Sequence, residues 1–256
     1  MKANSLFQYF FFGTSLRYLQ DAEAGFRIHD FDRDYHVLSN IANFFEQLDE
    51  LGLQVTARAS KDLQRLYTEL EQEDYDAVLS EAQASKLARI MTDIRKTLEA
   101  ELEGFYVYTV TPKRIDATKL MSDVSFLFAP NTFARLPGIA RFDLEEAGKC
   151  IAFERPTAAA FHLMRATEAV LRTFLKTHVE TSSENLWGPM VKALREKLDD
   201  SDYGVLLNNL DNIRLSFRNP TQHPQKIYDI QEVQDLWGLC VDVINRMAKD
   251  LHEVAK

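Results

Sequence analysis

Asp229-Ile230-Gln231-Glu232-Val233-Gln234-Asp235-Leu236-Trp237-Gly238-Leu239-Cys240-Val241-Asp242-Val243-Ile244-Asn245-Arg246-Met247-Ala248-Lys249-Asp250-Leu251-His252-Glu253-Val254 decides the fold of this chain. Its apolar side chains at 230, 233, 237, 240, 244, 247, 251 and 254 alternate three and four residues apart. That spacing keeps one stripe of a helix apolar, a seam that must pack against a neighbouring helix. Asp229, with Glu232 three residues on, supplies the capping box that starts it. Upstream, Thr157 opens a second long helix reaching about His178. Its apolar arc holds Ala160, Leu163, Met164, Thr167, Val170, Leu171 and Phe174; His162, Arg165, Glu168, Arg172 and Lys176 occupy the other arc. A shorter helix is expected over about 189–198. Another, carrying Leu206, Leu210, Ile213 and Phe217, leads to Arg218. Asp143 is expected to cap a short helix ending before Pro156. The C-terminal half, 141–256, therefore reads as an antiparallel helical bundle.

The N-terminal half, 1–140, also reads as mainly helical. Leu38, Ile41, Phe45, Leu48 and Leu51 keep helical spacing up to Gly52, and a long charged helix is expected over about 76–104. A further helix, capped by Asp116, should run to Phe128. Phe105 to Val110 (Phe-Tyr-Val-Tyr-Thr-Val) is rich in aromatic and β-branched residues, so it is read as a strand, with 5–12 or 26–28 as its partner. The Ala129-Pro130-Asn131 segment and the Leu136-Pro137-Gly138 turn place the boundary near 140. The fold class expected is mainly α: a helical region with a minor β element, then the bundle.

The 256 residues carry a net charge of −9. Residues 141–256 hold 15 Lys and Arg against 18 Asp and Glu, or −3, so 1–140 carry the other −6. This balance opposes a coat for long duplex DNA and leaves room for a small RNA contact on the C-terminal half. The aromatic run Phe7-Gln8-Tyr9-Phe10-Phe11-Phe12 is too short for a signal peptide and no small-residue cleavage site follows it. No stretch approaches the roughly 18 apolar residues that span a bilayer. Cys150 and Cys240 have no metal-binding spacing and read as reduced thiols, so a cytoplasmic protein is expected.

The chemistry concentrates in Arg218-Asn219-Pro220-Thr221-Gln222-His223. A fixed cation, an amide and an imidazole that titrates near neutrality stand together where Pro220 is expected to turn the chain out of its helix. Such a pair suffices for metal-free cleavage of RNA, with the 2′-hydroxyl attacking its own phosphate. Spacing alone does not single it out, because Arg155 to His162, Arg172 to His178 and Arg246 to His252 fit the same loose pattern. The last two pairs fall inside helices, where six residues at about 100° each leave the side chains about 120° apart. The first has Pro156, not an amide, beside its arginine.

With Phe217 to His223 after a long amphipathic helix, and Thr157-Ala158-Ala159-Ala160-Phe161-His162-Leu163-Met164-Arg165-Ala166-Thr167-Glu168 upstream, residues 141–256 resemble the HEPN superfamily (higher eukaryotes and prokaryotes nucleotide-binding domains). The resemblance implies a small up-and-down bundle that dimerises. It also implies a metal-independent endoribonuclease serving toxin, phage-defence or RNA-processing systems, with a composite site built from two protomers. It carries Arg218, Asn219 and His223 over as catalytic residues. His223 would act as base or orient the 2′-hydroxyl, Arg218 would neutralise the equatorial oxygens, and Asn219 would hold a phosphate. Arg165 and Glu168 match a polar helical face of relatives loosely; Arg214 and Lys226 are the basic residues nearest the motif. Single-stranded or transfer RNA is the expected substrate, with a homodimer and a regulatory protein as partners.

The alternatives are a non-catalytic nucleotide- or RNA-binding or protein-interaction module on the same face, and an accessory subunit in which 1–140 restrain the bundle. Structural readings also exist for single residues. Arg165 and Glu168 can form an i,i+3 ion pair. Trp187 and Trp237 fit a core or interface. His29-Asp30-Phe31-Asp32-Arg33-Asp34-Tyr35-His36 resembles the start of a calcium loop but has Tyr35 at the glycine position and Ile41 at the closing glutamate position, so helix capping explains its acids better. No Gly-rich phosphate loop or Gly-x-Ser-x-Gly elbow occurs, and neither metal nor cofactor is expected.

Overall fold

A computed structural model describes residues 5–30, 36–179, 186–222 and 226–254. The chain is mainly helical and divides into two compact units, Met1–Val107 and Tyr108–Lys256. In the first unit the aromatic run lies in helix α1 (Leu6–Gln20), opened by a capping box between Ser5 and Gln8. It is followed by α2 (Val37–Glu50), α3 (Gln54–Ala59), α4 (Lys61–Leu70) and α5 (Glu81–Leu102). Gly52, at φ 73°, supplies the left-handed residue that ends α2. Ser80 and Gln83 form the capping box of α5. Phe12, Leu19, Ile41, Phe44, Leu63, Leu66, Leu87 and Ile94 belong to this unit's own core.

The expected strand over 105–110 is absent: the segment has no regular secondary structure, and Tyr106 and Tyr108 are about four-fifths exposed, at 79% and 83%. A strand needs a partner. Of the two proposed partners, 5–12 is almost wholly within α1, and Arg27 bridges Val78 instead. That isolated bridge is the β pairing among the described residues.

The second unit contains α6 (Ala117–Ser122), a 3₁₀ turn (Val124–Leu127), α7 (Thr132–Arg135), α8 (Gly138–Ala152), α9 (Pro156–His178), α10 (Trp187–Arg195), α11 (Asp200–Ile213), a π-helical turn (Arg214–Arg218), α12 (Asn219–Gln222) and α13 (Ile230–Val254). Hydrogen bonds fix the directions of its long helices. His162 Nδ1 lies 2.8 Å from Asp143 Oδ1, which sets α8 antiparallel to α9. Asn209 Nδ2 donates to Asp242 at 3.0 Å and Tyr203 bonds Asp250, so α11 is antiparallel to α13. The Tyr228 N–H meets Thr157 Oγ1 at one end of the bundle, and His178 Nε2 meets Asp250 at the other. Thus α9 and α13 run parallel while helices consecutive in the order α8, α9, α11, α13 alternate.

Helix α9 is the axis of this core, with Ala159, Ala160, Leu163, Ala166, Val170, Leu171 and Phe174 fully buried. The apolar seam of α13 packs on it as its spacing requires, with Val233, Cys240, Ile244 and Met247 fully buried and Trp237 nearly so. Trp187 is a core residue whose Nε1–H donates to Leu210 O at 3.2 Å. The unit begins at 108, not near 140, because Leu120, Val124, Phe128 and Leu136 are buried in this same core. The Pro and Gly residues around 130–138 mark a turn inside a domain. The capping role expected of Asp143 is also not observed: α8 starts five residues earlier, after Pro137, and Asp143 is a wholly buried carboxylate within it.

Candidate functional site

Asp199 opens α11 by accepting from the Ser201 N–H at 2.8 Å, and Leu206, Leu207, Leu210 and Ile213 bury its inner face. The helix does not stop at the motif. It widens into the π-helical turn over 214–218, and the Asn219 N–H bonds Arg214 O, five residues back. Asn219 is helical, at φ −62° and ψ −48°, and the chain continues as α12 through Pro220. The bend expected at Asn219-Pro220 is therefore displaced. A proline in α register would press on the carbonyl four residues back and leave it without a donor; one wider turn just before it relieves that conflict.

The far side of the motif is held by Tyr228. Its hydroxyl lies 2.6 Å from Thr221 Oγ1 and donates to Phe217 O at 3.0 Å, while Thr221 Oγ1 donates to the same carbonyl at 2.6 Å. Its ring stacks on Phe217, centroids 6.3 Å apart, and burial raises its phenol pKa above the ordinary value. Lys226 Nζ stands 4.8 Å from the Tyr228 ring and 5.2 Å from the Phe217 ring, and pairs with Glu232 at 3.2 Å. Tyr228, just before α13, thus pins Phe217 and Thr221. His223 lies outside the described residues.

Arg218 faces α9. Its Nη2 is 3.5 Å from Glu168 Oε2, and the other oxygen of Glu168 bonds Arg172 Nη2 at 2.6 Å. One carboxylate therefore serves two guanidinium groups. The Arg218 and Glu168 side chains are only 16% and 20% exposed, so this pair is little screened by water. The buried Arg218 Nε has no hydrogen-bond partner among the described residues. Beside them, Asp143 bonds His162 through one oxygen; its other oxygen lies 3.2 Å from Arg165 Nε, close enough for attraction but out of line for a hydrogen bond. Arg165 and Glu168 do not form the expected i,i+3 pair, since each is engaged by a different element. With Ile139, Asp143, Ala169 and Arg172 they line a groove of about 270 Å³ on α8 and α9.

Of the residues singled out from sequence, Arg218 and Glu168 meet directly and Arg165 lines the groove beside Glu168. Asn219 follows Arg218 in half-buried surroundings. Arg214 is tied to Asp211 by contacts of 3.1 and 3.2 Å and lies against Gly188; Lys226 is tied to Glu232. Sequence reasoning does not single out Asp143, Arg172 or Tyr228 as site residues. Tyr228 and Asp143 stand where a loop and a helix face look ordinary, and only their partners from distant positions give them a role. Among the described residues, no three His, Cys, Asp or Glu side chains gather as a metal-binding group. No helix of the described residues is long and apolar enough to cross a membrane. Comparison with known families, curated proteins and solved structures gives no match to this chain.

Proposed function

We propose that the second unit is a HEPN-like bundle and that the chain is a metal-independent endoribonuclease acting through Arg218, Asn219 and His223. The observation that carries this reading is the construction around Arg218. A π-helical turn sits at the motif, a place where such turns are often functional. A guanidinium ends it, held against a scarcely exposed carboxylate that Arg172 already partly neutralises. Two cations sharing one anion leave a net positive charge, which a scissile phosphate can meet. In this reading His223 accepts the 2′-hydroxyl proton, Arg218 bonds the equatorial phosphate oxygens, and Asn219 orients the phosphate. The attacking oxygen forms the new P–O bond as the bond to the 5′-oxygen breaks, and the departing oxygen takes a proton from water, giving a 2′,3′-cyclic phosphate and a 5′-hydroxyl. A homodimer in the cytoplasm, cutting single-stranded or transfer RNA for a toxin or defence system, completes the proposal. Ile139 and Phe142 on α8 and Phe161 on α9 are about half exposed on the two helices that line the groove, a surface suited to a second copy.

The test is cleavage of a mixed RNA pool in EDTA. Arg218→Ala and His223→Ala should each abolish cutting while helical content and oligomeric mass stay those of the parent. Cutting by either variant at the parent rate would refute the assignment. A second reading is favoured by the Arg218–Glu168 pair itself: an arginine already paired with a carboxylate can serve a non-catalytic module that binds a nucleotide, RNA or protein. That reading expects ligand-dependent thermal stabilisation without turnover.

A further inference from the structure

Helix α13 from Asp242 onward and the short helix α7 with the Ala129-Pro130 segment before it border a concavity of about 360 Å³. It lies toward the end of the bundle where His178 meets Asp250, away from the Thr157–Tyr228 contact. Its charged lining is Arg135, Asp242, Arg246, Lys249 and the titratable His252. The single carboxylate of that lining is already matched. Arg246 Nε donates to both oxygens of Asp242 at 2.9 Å, and Asn209 adds a bond of 3.0 Å. Arg135 and Lys249 remain. Both are exposed, and neither has a partner among the described residues. Asn245 supplies a neutral donor: its Oδ1 accepts from the Ala129 N–H at 3.1 Å, which fixes the amide orientation and leaves the NH₂ without a partner among the described residues.

A groove in a chain of net charge −9 thus presents two uncompensated cations and an amide donor to one concavity. Like charges lining one concavity are relieved by an anion, and a phosphodiester, with one charge shared over two acceptor oxygens and no donor, suits this set. We propose that this groove is a phosphate subsite for RNA, separate from Arg218, in which Arg135 and Lys249 hold backbone phosphates and Asn245 bonds a phosphate oxygen. The inference rests on the ribonuclease reading only for its choice of RNA as ligand.

The test uses fluorescence anisotropy with a short labelled single-stranded RNA, over a series of salt concentrations. The full-length Arg218→Ala protein is compared with the same protein also carrying Arg135→Ala and Lys249→Ala. Both added substitutions are on exposed, unpaired side chains, and unchanged melting confirms the fold. Removing two phosphate contacts should weaken binding roughly tenfold and flatten the slope of log K against log salt by about 1.4. Equal affinity and slope for the two proteins, or no RNA binding by either, would overturn the proposal. Cleavage by the otherwise unaltered chain separates the two claims. An Arg135→Ala/Lys249→Ala protein that cuts with unchanged KM defeats the groove and leaves the nuclease reading intact. A parent that binds RNA through the groove but never cuts defeats the nuclease reading and leaves the groove.

Discussion

Glu168 carries two arginines, and the consequences of removing either side differ. In Arg218→Ala, Glu168 keeps its 2.6 Å bond to Arg172, so the carboxylate is not stranded. In Glu168→Gln, Arg218 keeps its charge in a site where its Nε already lacks a partner. Breaking a buried pair from the side that leaves the charge behind is the costly direction. Glu168→Gln should therefore lose about 2 kcal/mol of stability, less than for a fully buried pair, and Arg218→Ala about 1 kcal/mol. Urea unfolding of the two variants checks the order; a greater loss in Arg218→Ala would contradict the assigned geometry. At this scale the sequence was partly legible. Arg218 and Asn219 stood out because their neighbours in the chain gave them a setting, and Glu168 because it lay on the polar arc of a clear helix. Which carboxylate would meet which arginine was not legible. Glu168 and Arg218 are fifty residues apart, and Arg165 found Asp143 on another helix instead.

Helix α8 shows how an element is placed by a single missing side chain. A Cβ on Gly148 would stand 2.5 Å from Leu120 O and 2.7 Å from Val124 Cγ1. Gly148→Ala must push α6 and the following 3₁₀ turn away from α8, at a cost of about 1–3 kcal/mol. A melting temperature equal to the parent's would show that this contact is not close. The far end of the bundle is tied by Tyr203, Asp250 and His178, which join α11, α13 and α9. Its hydrogen bond to Asp250, then burial, pushes the Tyr203 phenol from 10.0 up to about 12. Because the folded value is the higher one, the stabilisation is complete below pH 10 and is lost as pH rises toward 12. The melting temperature of the parent should exceed that of Tyr203→Phe at neutral pH, and the gap should close between pH 10 and 12. A constant gap would remove the hydrogen bond from the account. Element ends were the hardest feature to read. Periodicity found α9 and α13 almost whole, because their faces are set by the core. It missed the π-helical turn, since local preference at Asn219-Pro220 favours a bend and only the packing of that turn and of α12 beside α9 overrides it.

At the scale of the whole chain, each unit owns its core, and 108–140 belongs to the second. A fragment of residues 108–256 retains Leu120, Val124, Phe128 and Leu136 and should unfold cooperatively as a single domain. A fragment of 141–256 strips those four side chains from the core and should unfold at lower urea or associate through the uncovered surface. Equal stability of the two fragments would return the boundary to 140. The mainly helical class was legible because apolar spacing is a property of each segment alone. The domain boundary and the missing strand were not, because both depend on what a segment finds to pack against. The central claim concerns chemistry that Arg218 and His223 would share. Its most direct test is the termini left on a labelled RNA incubated with the purified full-length chain in EDTA. The account predicts cleavage in EDTA, leaving 2′,3′-cyclic phosphate and 5′-hydroxyl ends, lost in His223→Ala. Intact RNA, or 5′-phosphate ends that disappear when metal is chelated, would contradict it.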